Sequence, residues 1–169
     1  MPLNVLIRDA EAVDCMAIAA IYAPHVLHGT VSFEVEPPSA EEILRRRAAI
    51  LEAGLPYLIA QTGSEIAGYA YASRFRPRHA YRFTVENSVY VSEQYQRRGI
   101  ARLLMQELIE RCTQSGIREM IAVIATPATS TASVAFHRSL GFREAGVLLG
   151  VGEKFGESLD VLMMQKSLR

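Results

Sequence analysis

A short polar turn between a strand and a helix contains the residues best suited to bind an anion. Segment 96 to 102 has the sequence Gln-Arg-Arg-Gly-Ile-Ala-Arg and follows the stretch Val89-Tyr90-Val91. Gly99 lets a ligand approach the backbone without a Cβ in the way, and Arg97 and Arg98 place positive charge beside it. The first N–H groups of the helix that follows have no intrahelical acceptor and lie at the positive end of the helix dipole. The segment predicts a phosphate or pyrophosphate site, with an ordinary solvated connection as the alternative.

Two titratable side chains could take part in proton transfer. Glu86 lies among apolar residues of a predicted strand, so its carboxylate can face either a site or a buried partner such as Arg82 on the same strand face. A carboxylate pKa of about 4 is too low for direct deprotonation of an ammonium group, but burial would raise it and a water could relay the proton. His137, four residues before Gly141, could protonate or hydrogen-bond a leaving group, or be a structural helix residue.

A basic segment precedes this strand. Residues 74 to 82 contain four arginines within nine positions. Guanidinium groups bind carboxylates and phosphinates in bidentate geometry, so the segment predicts a lid that, together with Tyr81, binds an anionic small molecule. A solvated loop and a weak RNA contact are the alternatives.

Composition restricts the class of protein. The chain has 169 residues, half of them apolar, which suits a single domain over residues 1–169. Eighteen basic residues balance eighteen acidic ones, so neither a nucleic-acid nor a membrane partner is expected. No signal core or membrane-length apolar run is seen, and Cys15 and Cys112 lack metal-type neighbours. We expect a soluble cytoplasmic protein with reduced thiols and no metal.

The order of predicted elements, β-α-α-β-β-β-α-β-α-β-β, indicates an α/β domain with a mixed sheet and helices on both faces. A first helix from Asp9 or Asp14 should bend or fray at Pro24. A connection over 27–36 should have a strand-like centre at 31–33, and Ser39 should cap a second helix that reaches Ala53. The remaining predicted strands span 5–8, 57–61, 66–73, 83–91, 119–125, 142–149 and 158–165, with helices up to 115 and over 131–140 and a loop over 150–157.

Gln96-x-x-Gly99-x-Ala101 after a Val-x-Val strand resembles the acetyl-CoA pyrophosphate loop of the GNAT acetyltransferase superfamily. The flanking sequences extend the likeness over nearly the whole chain. They are similar to those of the phosphinothricin and methionine sulfoximine N-acetyltransferases at residues 30–34, 81–92, 136–142 and 154–156, and at Asp160. The resemblance implies the GNAT fold, with a mixed, mostly antiparallel central sheet and helices on both faces.

The resemblance also implies an activity: direct transfer of an acetyl group from acetyl-CoA to the amino group of phosphinothricin, methionine sulfoximine or methionine sulfone, as a detoxification. Glu86 would be the general base, and His137 stands where many relatives carry a tyrosine regarded as the general acid. The implied cofactor-binding residues are Val89, Tyr90, Val91, Arg97, Arg98, Gly99, Ile100, Ala101, Arg102 and Ser130. The implied substrate-binding residues are Phe33, Glu34, His79, Ala80, Tyr81 and Arg82. A homodimer is implied as well.

Two positions depart from the pattern of the resembled family. Ser130 stands where relatives usually have Asn, so one expected cofactor hydrogen bond is altered or lost. Ser158 stands where they have Trp, so the pocket is wider or differently shaped and the acceptor stays open. Other amines, such as a polyamine, an aminoglycoside or a protein N-terminus, are alternative acceptors, although the basic lid favours an anionic small molecule. A CoA-binding module without turnover is the alternative from another class.

Overall fold

A computed structural model describes residues 4–126 and 131–169. Its centre is a seven-stranded sheet in the order β1-β2-β3-β4-β5-β7-β6. The strands are β1 Leu6–Asp9, β2 Tyr57–Thr62, β3 Glu65–Arg74, β4 Thr84–Val91, β5 Glu119–Thr126, β6 Arg143–Lys154 and β7 Glu157–Ser167. The pairing of β4 with β5 is parallel and the other pairings are antiparallel. The predicted mixed, mostly antiparallel sheet is confirmed.

Helices cover both faces of this sheet, as predicted. They are α1 Cys15–His28, α2 Ala40–Glu52, α3 Ile100–Gln114 and α4 Thr131–Ser139. Successive side chains of each strand point to opposite faces of the sheet, so the hydrophobic core is divided into two parts. Leu58 of β2 packs on the α3 and α4 side, whereas its neighbour Tyr57 packs on the α1 and α2 side. No helix among the described residues is long and apolar enough to cross a membrane.

Helices α1 and α2, which cover one face of the sheet, begin and end largely as expected. Ser39 caps α2, since its Oγ accepts the N–H of Glu42 at 3.2 Å. The predicted fraying at Pro24 is not found, because α1 continues through it to His28. Ile18 and Val26 on either side of the proline are fully buried. Tertiary packing of this face keeps the last turn helical, although Pro24 contributes no N–H.

Two strand predictions also need correction. Residues 31–33 form no strand, because Ser32 Oγ accepts the N–H of Glu34 at 3.1 Å and so offers the backbone a local alternative to a ladder. The predicted loop 150–157 is instead a hairpin, in which β6 extends to Lys154 and β7 begins at Glu157. Its glycines mark a bulge between Leu148 and Gly152 and a tight turn at Gly156, where φ is +76°.

Candidate active site

The sheet opens between its two parallel strands. The pairing of β4 with β5 ends at Glu86 and Ile121, although β4 continues to Val91. Two backbone hydrogen bonds show which residues of β4 bond to β3. The N–H of Ser92 donates to the carbonyl of Ala67 at 2.9 Å, and the N–H of Phe75 donates to the carbonyl of Thr84 at 3.3 Å. The even-numbered residues do so, since bonded pairs alternate in an antiparallel ladder.

The odd-numbered residues of β4 therefore direct their N–H and C=O groups into the opening. Beyond the last β5 pair these residues are Asn87, Val89 and Val91. Tyr90 is among the implied cofactor-binding residues, but its backbone N–H and C=O groups bond to Tyr69 in the ladder with β3 and do not face the opening. The side chain of Tyr90 points to the face of the sheet that α1 covers. There its ring packs against that of Tyr22, with 4.9 Å between the ring centroids.

The anion-binding turn lies directly after this open strand end. The first helical bond of α3 runs from the N–H of Leu103 to the carbonyl of Gly99, so the N–H groups of residues 100 to 102 have no acceptor within the helix. Gly99 has a φ of +82° and Arg97 a φ of +59°, a left-handed backbone that turns the chain sharply. The predicted concentration of N–H donors is present, and this donor set fits a pyrophosphate.

The other predicted cofactor residues are placed as follows. Arg97 and Arg98 are exposed, and Arg98 lies 5.8 Å from the ring centroid of Tyr95. Arg102 donates to Ser139 Oγ at 2.7 Å and so links α3 to the end of α4. Ser130 lies outside the described residues.

Glu86 projects from β4 towards the α1 and α2 face of the sheet. Burial raises the pKa of its carboxyl group. Within residues 4–126 and 131–169 it has no ion-pair partner, and the guanidinium of Arg82 stacks instead on Phe83, 4.3 Å from the ring centroid. The alternative of a structural pair with Arg82 is not found. A half-buried carboxylate without a cationic partner binds a proton more readily than an exposed one.

His137 lies on the other side of β4 from Glu86. It is 95% buried, and its Nδ1 lies 2.9 Å from the carbonyl of Ser133, so Nδ1 carries the proton. Its Nε2 lies 3.1 Å from Nδ2 of Asn87 and accepts from that amide. Burial lowers the pKa of His137. The imidazole is therefore neutral with no proton on Nε2, which differs from the predicted arrangement of a general acid.

Phe33 and Glu34 are braced from two sides. Glu34 accepts from Arg46 at 2.6 Å and from the hydroxyl of Tyr22 at 3.2 Å. The ring of Phe33 lies so close to Gly152 that a Cβ at this position would clash with it. Lys154 Nζ donates to the carbonyl of Ser32 at 2.7 Å. The β6–β7 hairpin therefore holds the predicted substrate segment in place.

The predicted lid, residues 74 to 82, is largely exposed and contains a short helical turn over His79–Tyr81. Arg76 lies over the rings of Phe75 and Tyr81, at 5.1 and 5.8 Å from their centroids. No hydrogen bond or ion pair among the described residues joins this segment to Glu34 or Glu86.

A group of stacked tyrosines was not predicted. Tyr57 and Tyr71 stack at 4.9 Å between centroids, and Tyr69 stacks on Tyr90 at 5.4 Å. A cavity of about 310 Å³ lies beneath α2, and we call it the tyrosine pocket. Its lining residues are Tyr22, Ile43, Arg46, Ala49, Ile50, Tyr57, Tyr69, Tyr71 and Ser73. Tyrosines at alternate positions 69 and 71 could have indicated an aromatic sheet face, but periodicity alone does not separate a pocket from a core.

Comparison with known proteins identifies the family. The model of the acetyltransferase (GNAT) family matches residues 18–142. The chain belongs to the GNAT acetyltransferase family. A phosphinothricin N-acetyltransferase of Alcaligenes faecalis is 47% identical over 162 residues, covering 96% of this chain and 82% of the relative. An L-methionine sulfoximine/L-methionine sulfone acetyltransferase of Pseudomonas paraeruginosa is 37% identical over 171 residues, covering 98% and 96%.

The fold agrees with that assignment. The crystal structure of a GNAT superfamily phosphinothricin acetyltransferase from Sinorhizobium meliloti in complex with acetyl-CoA superposes with a TM-score of 0.92 at 42% identity, covering 98% of this chain and 89% of that one. The predicted family, fold and enzyme class are confirmed. This GNAT protein is an N-acetyltransferase whose acetyl donor is acetyl-CoA. The described residues contain no cluster of His, Cys, Asp and Glu that could hold a metal ion.

Proposed function

We propose that this GNAT enzyme acetylates the α-amino group of small amino acid analogues of the phosphinothricin, methionine sulfoximine and methionine sulfone type. The observation that carries the proposal is the position of Glu86, a half-buried carboxylate without a cationic partner on the strand whose free edge faces the opening. The names of the relatives from A. faecalis and P. paraeruginosa point to the same acceptors. Acetylation removes the positive charge of the amine, and we propose that detoxification of such analogues is its purpose.

Glu86 acts as the general base. The acceptor arrives as an ammonium ion, and Glu86 removes one proton, directly or through one water. The raised pKa of Glu86 brings it closer to that of its proton donor, so the transfer is less unfavourable than to an exposed carboxylate. The free amine then attacks the thioester carbon.

Backbone groups of β4 stabilise the charge that develops on the carbonyl oxygen. The N–H groups of Val89 and Val91 face the opening without a β5 partner, so they can donate to this oxygen and to the amides of the donor without prior rearrangement. Residues 97 to 102 hold the pyrophosphate at the start of α3, with N–H groups of the first turn and the arginines at positions 97 and 98.

The departing thiolate takes up the second proton of the attacking amine. Attack leaves the nitrogen positively charged; when the C–S bond breaks, the nitrogen loses its remaining extra proton and sulfur gains one, so charge and protons balance. His137 need not supply this proton. It acts as a positioning residue that joins α4 to β4 through Asn87.

The arginines of the lid bind the carboxylate of the acceptor, with Tyr81 beside them. Glu34 and Phe33 close the opposite side. Glu34 is neutralised by Arg46, so its carboxylate shapes the site more than it attracts a cation.

A homodimer in the cytoplasm is part of the proposal. β6 is an edge strand that exposes Val147, Leu148 and Leu149 to 50, 51 and 77%, and such an apolar edge favours association. Cys15 and Cys112 are free and buried, as expected for a reducing compartment. Light scattering should give twice the chain mass, and Leu149→Lys should reduce it; a monomer at micromolar concentration would refute the dimer.

The activity is tested by release of CoA thiol from acetyl-CoA with phosphinothricin, methionine sulfoximine and methionine sulfone as acceptors. We expect acceptor-dependent thiol release and the N-acetyl product by mass spectrometry. Binding of acetyl-CoA with no acetylation of any amino acid would refute the proposal and favour a CoA-binding module without turnover. Acetylation of a polyamine or aminoglycoside alone would refute the acceptor class.

A further inference from the structure

A bulge of β6 lies opposite a single residue of β7. Just before the pair of Gly152 with Leu159, three residues of β6 face Asp160 alone. Oδ1 of Asp160 accepts the N–H of the middle one, Gly150, at 2.7 Å. Among the described residues this carboxylate forms no ion pair. Its bond to Gly150 therefore replaces the strand pairing that the bulge interrupts.

The bulge determines which residues of the hairpin meet residues 32 to 34, which we call the acceptor segment. It adds two residues to β6, so a hairpin without it would place Gly150 opposite Leu159 and Gly152 opposite Glu157. A shift of two residues leaves every side chain on its own face of the sheet, because side chains alternate with a period of two. Hydrophobic burial therefore hardly distinguishes the two registers, and another interaction must select the observed one.

The two registers differ in their contacts with the acceptor segment. In the observed register, Gly152 lies under the ring of Phe33 and Lys154 donates to the carbonyl of Ser32 at 2.7 Å. In the shifted register, Gly150 would take the place of Gly152, so a glycine would still lie under the ring. Lys154 would move into the loop of the hairpin, and its bond to Ser32 would be lost.

The observed register has a local cost at the turn of the hairpin. Because Lys154 pairs with Glu157, only Phe155 and Gly156 form the turn, with φ values of +56° and +76°. Two positive φ values are typical of a type I′ turn, in which asparagine followed by glycine is preferred and phenylalanine is disfavoured. The shifted register would have a four-residue loop over 153–156, usually built around a type I turn, and would not require a positive φ at Phe155.

We propose that Asp160 is a positioning residue of the acceptor site. By accepting the N–H of Gly150 it stabilises the bulge against the cost of the turn, and so selects the register in which Lys154 holds Ser32. Asp160 acts through β6 and does not contact the acceptor. This inference rests on the proposed function, in which the acceptor segment closes one side of the site.

The first test is kinetic. Asp160→Ala removes the acceptor of the Gly150 N–H, so KM for the amino acid should rise about fivefold or more while KM for acetyl-CoA stays constant. Asp160→Asn keeps an oxygen at the same position and should raise KM for the amino acid far less. An unchanged KM in Asp160→Ala, or an equal rise in Asp160→Asn, would overturn the inference.

The second test restores the register by another route. Phe155→Asn gives the turn the asparagine-glycine sequence that favours type I′. Added to Asp160→Ala, it should return KM for the amino acid to within about twofold of the wild-type value. Phe155→Ala is the matched control, because it removes the same ring without favouring a positive φ. Rescue by both substitutions, or by neither, would contradict the proposed choice between registers.

The third test does not depend on catalysis. The chain contains no tryptophan, so Phe33→Trp places a single fluorescent reporter next to Ser32. Adding Asp160→Ala should increase quenching of the indole by acrylamide, whereas adding Asp160→Asn should not. Unchanged quenching in Asp160→Ala would overturn the inference, even in an enzyme that acetylates amino acids. Increased quenching in a protein that acetylates no amino acid would support the register selection and refute the proposed function.

Discussion

Asn87 donates through Nδ2 to Nε2 of His137 at 3.1 Å, across the junction of β4 and α4. Because Nδ1 of the same ring donates to Ser133, this bond fixes both the tautomer and the neutral state of the imidazole. Oδ1 of Asn87 is buried and has no hydrogen-bond partner among the described residues. The amide is thus oriented by the histidine rather than by its own oxygen.

The first prediction concerns the pH dependence of stability. Burial lowers the pKa of His137 below its unfolded value of about 6.5, so the unfolded chain binds more protons as pH falls through that value. Stability should be full above about pH 7 and decline below about 6.5, by up to ~1.4 kcal/mol per pH unit for this group. Urea unfolding at pH 7.5 and 5.5 measures the difference.

The variants assign that effect. His137→Gln should reduce the difference in the free energy of unfolding between the two pH values. His25→Gln should also reduce it, because burial lowers the pKa of His25 as well. A difference unchanged in both His137→Gln and His25→Gln would refute the neutral buried imidazoles.

The second prediction concerns Glu86. Glu86→Gln should lower kcat about 10²- to 10⁴-fold, the usual contribution of a general base. In the wild type, kcat/KM should fall as pH decreases through the raised pKa of Glu86, since the base is lost on protonation. Glu93→Gln, an exposed glutamate beyond β4, is the control. An acidic limb that persists in Glu86→Gln would assign the base elsewhere.

The third prediction separates strain from ligand binding at the start of α3. Gly99→Ala should destabilise the protein by about 1 kcal/mol, because alanine disfavours a positive φ. Gly116→Ala should cost a similar amount, since Gly116 has a φ of +80° and equally open surroundings. Calorimetric titration should show weaker acetyl-CoA binding for Gly99→Ala alone. Equal affinities in the two variants would contradict the proposed pyrophosphate site.

The fourth prediction concerns Lys154. Lys154→Met removes the donor to the carbonyl of Ser32, which leaves that buried acceptor unpaired and should cost about 1–3 kcal/mol. Because Phe33 and Glu34 follow directly, KM for the amino acid should rise while KM for acetyl-CoA stays constant. Lys166→Met on β7 provides the control. A rise in both KM values would indicate a general loss of order.

The sequence predicted the elements whose signals are local. Ser39 capped α2 as expected, and the Gly99 turn lies where its glycine and arginines indicated. Long-range pairing decided the rest. The backbone groups of Val89 and Val91 face the opening, whereas those of Tyr90 do not. This difference depends on the register of the β3–β4 ladder, which no local sequence pattern contains.

The candidate active site likewise combines features that the local sequence predicts with features that depend on distant contacts. Glu86 could be singled out from its strand, but its lack of a partner depends on where Arg82 stacks. The glycines near position 152 suggested a loop, whereas pairing with Leu159 in the β6–β7 hairpin makes the segment a bulged strand that lies against the distant Phe33. The hydrogen bond from Asn87 to Nε2 of His137 likewise joins residues that are 50 positions apart in the sequence.

The side chains of the adjacent residues 86 and 87 point to opposite faces of the sheet, and this has a consequence for how the enzyme can evolve. The proposed base lies on the α1 and α2 face of the sheet, whereas α3 and α4, which flank the proposed donor site, lie on the other face. If this division holds, substitutions in α1 and α2 should change the acceptor while donor recognition stays the same. Insertion of one residue into β4 would exchange the faces of everything beyond it. Lineages of this enzyme should therefore diversify by substitution in α2 and keep the length of β4 constant.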